Sequence, residues 1–115
     1  NETTMAQKSR VGIKDELENM LAFQMKAYGI HAEREVLFAK ESLNRKWRAD
    51  FKIGNLLIEV EGGIWVNGRH TRGKGFINDC EKYAEALCLG YRVLRIPGPW
   101  VKSGKGIDYI RRAIK

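Results

Sequence analysis

The stretch from Trp47 to Glu61, WRADFKIGNLLIEVE, leaves this chain little freedom in how it folds. Two apolar, β-prone runs flank Gly54-Asn55, and Gly followed by Asn suits a two-residue hairpin turn of the mirror-image types. Side chains on a strand alternate with period 2, so Leu57, Glu59 and Glu61 share one face while Ile58 and Val60 share the other. Asp50 lies on the partner strand, within cross-strand reach of Glu59 once the hairpin closes. Closure therefore gathers three carboxylates at one end of a ribbon, where like charges repel. A divalent cation resolves that conflict, and hard oxygen ligands suit Mg2+ or Mn2+. The competing reading makes Glu59 and Glu61 the solvated face of an edge strand. It fits poorly with a flanking run apolar enough to be central.

A chain of 115 residues is one domain with room for a real core. A net charge of +7 with a pI near 9.6 favours a polyanionic partner, most simply nucleic acid. A membrane surface would fit the charge too, but no apolar stretch approaches spanning length and no signal-peptide pattern opens the chain. Cys80 and Cys88 fall on one predicted helix, about 12 Å apart along its axis, which is far beyond disulfide reach. They read as buried free thiols of a reducing cytoplasm. With His31 and His70 the only histidines and no C-x-x-C pair, a structural zinc site is a poor fit.

Residues 1–10 carry no periodic apolar signal and read as a loose N-terminal arm ahead of a single domain over 11–115. An amphipathic helix is expected from Val11 to Tyr28, with Ile13, Leu17, Met20, Leu21, Gln24 and Tyr28 as its stripe and Gly29 as its cap. Glu33 to Ala39 reads as a strand and Lys40 to Arg45 as a polar turn into the hairpin. Gly62-Gly63 ends the third strand, and Ile64 to Gly75 is a basic, glycine-rich loop. Phe76 to Leu89 is a second helix, expected to face the core with Cys80, Tyr83, Ala84, Leu87 and Cys88. Tyr91 to Ile96 is a fourth strand that Pro97-Gly98-Pro99 stops, and Ile107, Ile110 and Ile114 space out a terminal helix. The order αβββαβα implies an α/β fold (α+β in its mixed sheet), four-stranded and flanked by helices.

That order, together with an Asp followed nine positions later by Glu-x-Glu, resembles the PD-(D/E)XK nuclease superfamily with its restriction-endonuclease-like core. More narrowly, EVEGGIWVNGRHTRGKGFINDCEKYAEALCLGYRVLR is similar to small phage and bacterial endonuclease domains related to very-short-patch repair endonucleases. The resemblance implies a cytoplasmic, Mg2+- or Mn2+-dependent DNA endonuclease with Asp50 and Glu59 as its first two acids and Glu61 in the third position. That position commonly holds lysine, and Ala49 stands where the family name has proline; these are departures from the pattern. The resemblance also implies an acid on the first helix, for which E-x-x-L-x-x-Q favours Glu18 over Glu16.

In such a site Asp50, Glu59 and the Val60 carbonyl hold the ion, while Glu61 holds a second ion or acts as general base. The missing lysine leaves a cationic role open to Lys82, Lys74 or His70. Arg69, His70, Arg72 and Lys74 put cations and flexible backbone beside the acids, as a phosphate clamp needs. Arg48 faces the same groove, and Trp65 either stacks a base or covers the sheet. Gly68 to Gly75 nearly matches a nucleotide-binding phosphate loop, but Gly75 replaces the hydroxyl that such a loop needs. Two other classes stay open: a nucleic-acid binder that kept the fold without catalysis, and a subunit-interaction module. Monomer and homodimer are equally compatible with the sequence.

Overall fold

The computed structural model of the protein describes the backbone of residues 2–62 and 73–115 and the side chains of residues 12–62 and 75–115. Helix α1 (Glu2–Ala27) is followed by strand β1 (Glu33–Val36), the short helix α2 (Lys40–Leu43) and the hairpin strands β2 (Ala49–Ile53) and β3 (Leu56–Glu61). Helix α3 (Gly73–Cys88), strand β4 (Arg92–Pro97) and helices α4 (Gly98–Ser103) and α5 (Lys105–Ala113) complete the chain. The strands lie in the order β1-β2-β3-β4, with β1–β2 and β2–β3 antiparallel and β3–β4 parallel. This is the predicted four-stranded mixed sheet, with the short helices α2 and α4 added before the hairpin and after β4. No helix among the described residues is long and apolar enough to cross a membrane.

The hairpin forms as its residues dictate. Ile53 pairs with Leu56 across two turn residues, and Gly54 adopts φ +57°, a conformation that costs glycine nothing. On β3, Ile58 and Val60 enter one core with Leu17, Leu21 and Met25 of α1, Phe51 of β2, Ile96 of β4, and Val101, Ile107 and Ile110 of the last two helices. Leu57 faces the other way, into a smaller cluster with Phe38, Ala39, Ala49 and Ala86. Two apolar faces of unequal thickness thus sandwich the central strand and fix its register.

Several expectations need correction. Helix α1 begins at Glu2, so residues read as a loose arm are helical. Its inward stripe is Leu17, Leu21 and Met25, while Ile13, Met20 and Tyr28 face outward. Gly29 does end the helix, with φ +70° and the Ile30 N–H donating to the Met25 carbonyl. Strand β1 stops at Val36, and the expected polar turn is the helix α2, closed by Asn44 in the left-handed region. Cys80 and Cys88 are exposed rather than buried. The physical reason is that α3 meets the sheet through Ala86 and half-buried Tyr83, which leaves Phe76, Ile77 and Leu87 outside. That orientation turns Lys82 and Tyr83 toward the acidic end of the hairpin.

Candidate active site

The hairpin ladder stops at Phe51↔Ile58. One residue further along each strand stand Asp50 and Glu59. On the outer side, β1 pairs Arg34 with Phe51 and Val36 with Ala49, which leaves Glu35 facing Asp50. On the inner side, Glu59 registers with Arg95 of β4. A row of Glu35, Asp50, Glu59 and Arg95 therefore crosses all four strands where the hairpin opens. The Val60 N–H donates to Asp50 Oδ2 at 2.7 Å, so a side-chain carboxylate serves as its acceptor. Glu35 has φ +54°, a left-handed conformation that costs a non-glycine residue roughly 1 kcal/mol or more.

Helices complete the site from both sides of the sheet. Helix α1 contributes Glu18, only 4% exposed, and Lys14, whose Nζ donates to Glu18 Oε2 at 2.7 Å and to Asp50 Oδ1 at 3.1 Å. Helix α3 contributes Lys82, which donates to the Glu59 carboxylate and, at 2.9 Å, to the Arg48 carbonyl. Arg48 itself pairs with Glu35 at 3.4 Å, and Arg95 pairs with Glu61. Apart from Arg95, these side chains line an open cavity of about 390 Å³ whose wall carries six carboxylates, Asp79 included. Oxygens of Glu18, Glu35 and Asp50 all lie within 4.8 Å of one another. Three hard oxygen donors so close, two of them buried, match the needs of a small divalent ion such as Mg2+ or Mn2+.

The electrostatics follow from burial and pairing. Burial pushes the Glu59 carboxyl above its usual range, against the opposing pull of Lys82, and the neighbouring charges of Asp50 and Glu61 push the same way. Burial works to lower the Lys14 ammonium, but the bonds and charges of Glu18 and Asp50 outweigh it and hold the group above its ordinary value. The Arg95 guanidinium is likewise raised, with Glu61 overcoming the effect of burial. Tyr83, beside Glu59 and stacked under Arg95, has its phenol raised by burial and by the Glu59 charge.

The structure brings Glu18, Arg48, Asp50, Glu59, Val60, Glu61 and Lys82 to one cavity. Glu16 is exposed and does not line it. Asp50 and Glu59 share the cavity, yet the carboxylates grouped at mutual ligand distance are Glu18, Glu35 and Asp50. Glu59 and Glu61 instead bond to Lys82 and Arg95. Glu35 was not singled out from the sequence. Its only signal was register, since a strand laid antiparallel to Trp47–Ile53 sets it opposite Asp50. Lys14 was also missed, because a lysine on a helix flank has no periodic signature. Trp65, Arg69, His70 and Arg72 lie outside the described residues, as does the side chain of Lys74.

No family model matches the chain, and no curated protein matches it. Among solved structures, the chain is similar to the catalytic domain of the homing endonuclease I-Bth0305I, at 24% identity and a TM-score of 0.58. The match covers 85% of this chain and 88% of that one. The likeness establishes the fold over almost the entire domain.

Proposed function

We propose that the protein is a divalent-metal-dependent DNA endonuclease of the PD-(D/E)XK type, hydrolysing phosphodiester bonds at the cavity where β2 and β3 part. The observation that carries this reading is the group of Glu18, Glu35 and Asp50, set on the fold of a homing endonuclease catalytic domain. A structural role alone gives no reason to crowd three carboxylates beside Glu59 and Glu61. The relation to very-short-patch repair endonucleases is the finer form of this proposal.

Glu18, Glu35 and Asp50 would hold the ion, which when bound supplies Lewis-acid polarisation of a phosphate and a more acidic water. Asp50 is fixed for that task by the Val60 N–H, which orients the carboxylate without neutralising it. Glu59, raised by burial, is matched to accept a proton from the attacking water more readily than an ordinary carboxylate. Lys82 fills the cationic role left open by Glu61, since its ammonium already lies against Glu59. Glu61, neutralised by Arg95, ties β3 to β4. Arg48, more than half exposed at the cavity wall, is placed to meet a phosphate.

One observation favours the non-catalytic binder: five of the cavity's carboxylates already have a lysine or arginine partner. A supercoiled-plasmid nicking assay separates the readings. The endonuclease nicks with Mg2+ or Mn2+, stops in EDTA, and fails as Asp50→Asn. Salt-sensitive binding without cleavage under either ion would support the binder instead.

A further inference from the structure

We propose that Lys14 is a built-in competitor of the metal: its ammonium takes the cation seat between Glu18 and Asp50 and must leave when a divalent ion enters. This rests on the metal-dependent reading above. Two elements distant in the chain hold the ammonium, Glu18 of α1 at 2.7 Å and Asp50 of β2 at 3.1 Å. Those two residues supply two of the three carboxylates grouped within 4.8 Å. A divalent ion bound to the same oxygens would lie against the ammonium, and two like charges at such a distance do not share a site.

The seat is built rather than casual. The Lys14 stem lies so close to the backbone of Gly62 that a Cβ there would come within 2.7 Å of Lys14 Cβ and 3.1 Å of its Cα. Gly62 follows directly on Glu61, so the end of β3 packs against the lysine stem and leaves it no room to withdraw on that side. The side chain is nonetheless 41% exposed, which leaves the ammonium a way out toward solvent while the stem stays clamped. The other cations of the cavity wall have different anchors, Lys82 on Glu59 and Arg48 on Glu35. Lys14 therefore acts on the ion only through the two carboxylates it occupies: it neutralises Glu18 and Asp50 until a divalent ion displaces it.

The test is Mn2+ affinity of the full 115-residue protein without DNA, measured by calorimetric titration for the wild type, Lys14→Met, Lys14→Arg and Asp50→Asn. Removing the ammonium should tighten Mn2+ binding by roughly five- to tenfold, because half-exposed ion pairs no longer compete. At the same time it should lower the melting temperature in EDTA. Lys14→Arg, which keeps the charge, should bind no tighter than wild type. A residue that merely supported the fold would weaken Mn2+ binding when lost. Unchanged or weaker affinity in Lys14→Met, with Asp50→Asn failing to bind, overturns the competitor role and leaves the metal site standing. Wild-type Mn2+ affinity in Asp50→Asn overturns both. Should Lys14→Met not fold in EDTA, Lys14→Arg binding Mn2+ tighter than wild type is the result that sinks the idea.

Discussion

Asp50 does two separable things, and two substitutions can pull them apart. Its Oδ2 accepts the N–H of Val60, a residue only 2% exposed, and its Oδ1 meets Lys14. Asp50→Ala strands the Val60 donor inside the sheet, which costs about 2 kcal/mol. The lost Lys14 contact adds only a few tenths of a kcal/mol, since that side chain is about two-fifths exposed and its pairing with Asp50 is partly screened. At about 4 °C per kcal/mol for a domain of this size, Asp50→Ala should melt roughly 8 °C below wild type in EDTA. Asp50→Asn keeps an oxygen for Val60 and relieves repulsion among the acids, so it should fall by about 1 kcal/mol at most. Both lose the ion. Wild type at Mn2+ a hundredfold above its Kd should gain about 2.7 kcal/mol, roughly 10 °C, and neither variant should gain more than a small part of that. Thermal melts with EDTA or Mn2+, paired with plasmid nicking, read all of this directly. The nicking rate of both variants should drop by at least about a thousandfold, as loss of several kcal/mol of Lewis-acid stabilisation requires. Mn2+ stabilisation of Asp50→Asn equal to wild type would refute the metal assignment. An Asp50→Ala protein as stable as Asp50→Asn would refute the account of Val60.

Glu35→Gly removes a carboxylate and also relieves a left-handed non-glycine, so melts in EDTA should rise by up to about 1 kcal/mol while Mn2+ binding weakens. The Glu59 carboxyl is raised in the fold, so its contribution to stability is fully present below about 4.5 and lost as pH rises through the folded value. In EDTA, wild type should therefore lose stability relative to Glu59→Gln as pH climbs above that point, as denaturant melts at several pH values would record. Lys82→Met should retain Mn2+ binding yet nick at least about tenfold more slowly, separating its role from that of the ion's ligands. Glu61→Gln, which releases Arg95, should nick within a few-fold of wild type if that pair ties strands together rather than holding an ion.

Much of the fold was readable because strong local signals agree with the tertiary answer. Gly54-Asn55 between β-prone runs forces the hairpin, and the alternation of Leu57, Ile58, Glu59 and Val60 assigns each to the face it occupies. Pro97 and Gly29 end their elements as their backbone chemistry demands. What failed was the facing of helices. On α3 the expected stripe of Cys80, Tyr83, Ala84, Leu87 and Cys88 holds only at Tyr83: Ala86 is the buried residue, and Cys80, Ala84, Leu87 and Cys88 are exposed. The helix is rotated from that stripe so that Ala86 faces the sheet and Lys82 reaches Glu59. The site was half legible for a similar reason. Asp50, Glu59 and Glu61 announce themselves on one hairpin, whereas Glu35 and Lys14 join them only through strand pairing and helix packing. Neither leaves a mark in local spacing.

The distorted backbone at Glu35 bears on association as well as on chemistry. Strand β1 forms one margin of the sheet, only four residues long, charged at Glu33, Arg34 and Glu35, and bent out of extended geometry at its third position. An incoming strand would find no straight run of free amide and carbonyl groups to zip against. The twist that brings a carboxylate to Asp50 thereby also blunts that margin against strand addition.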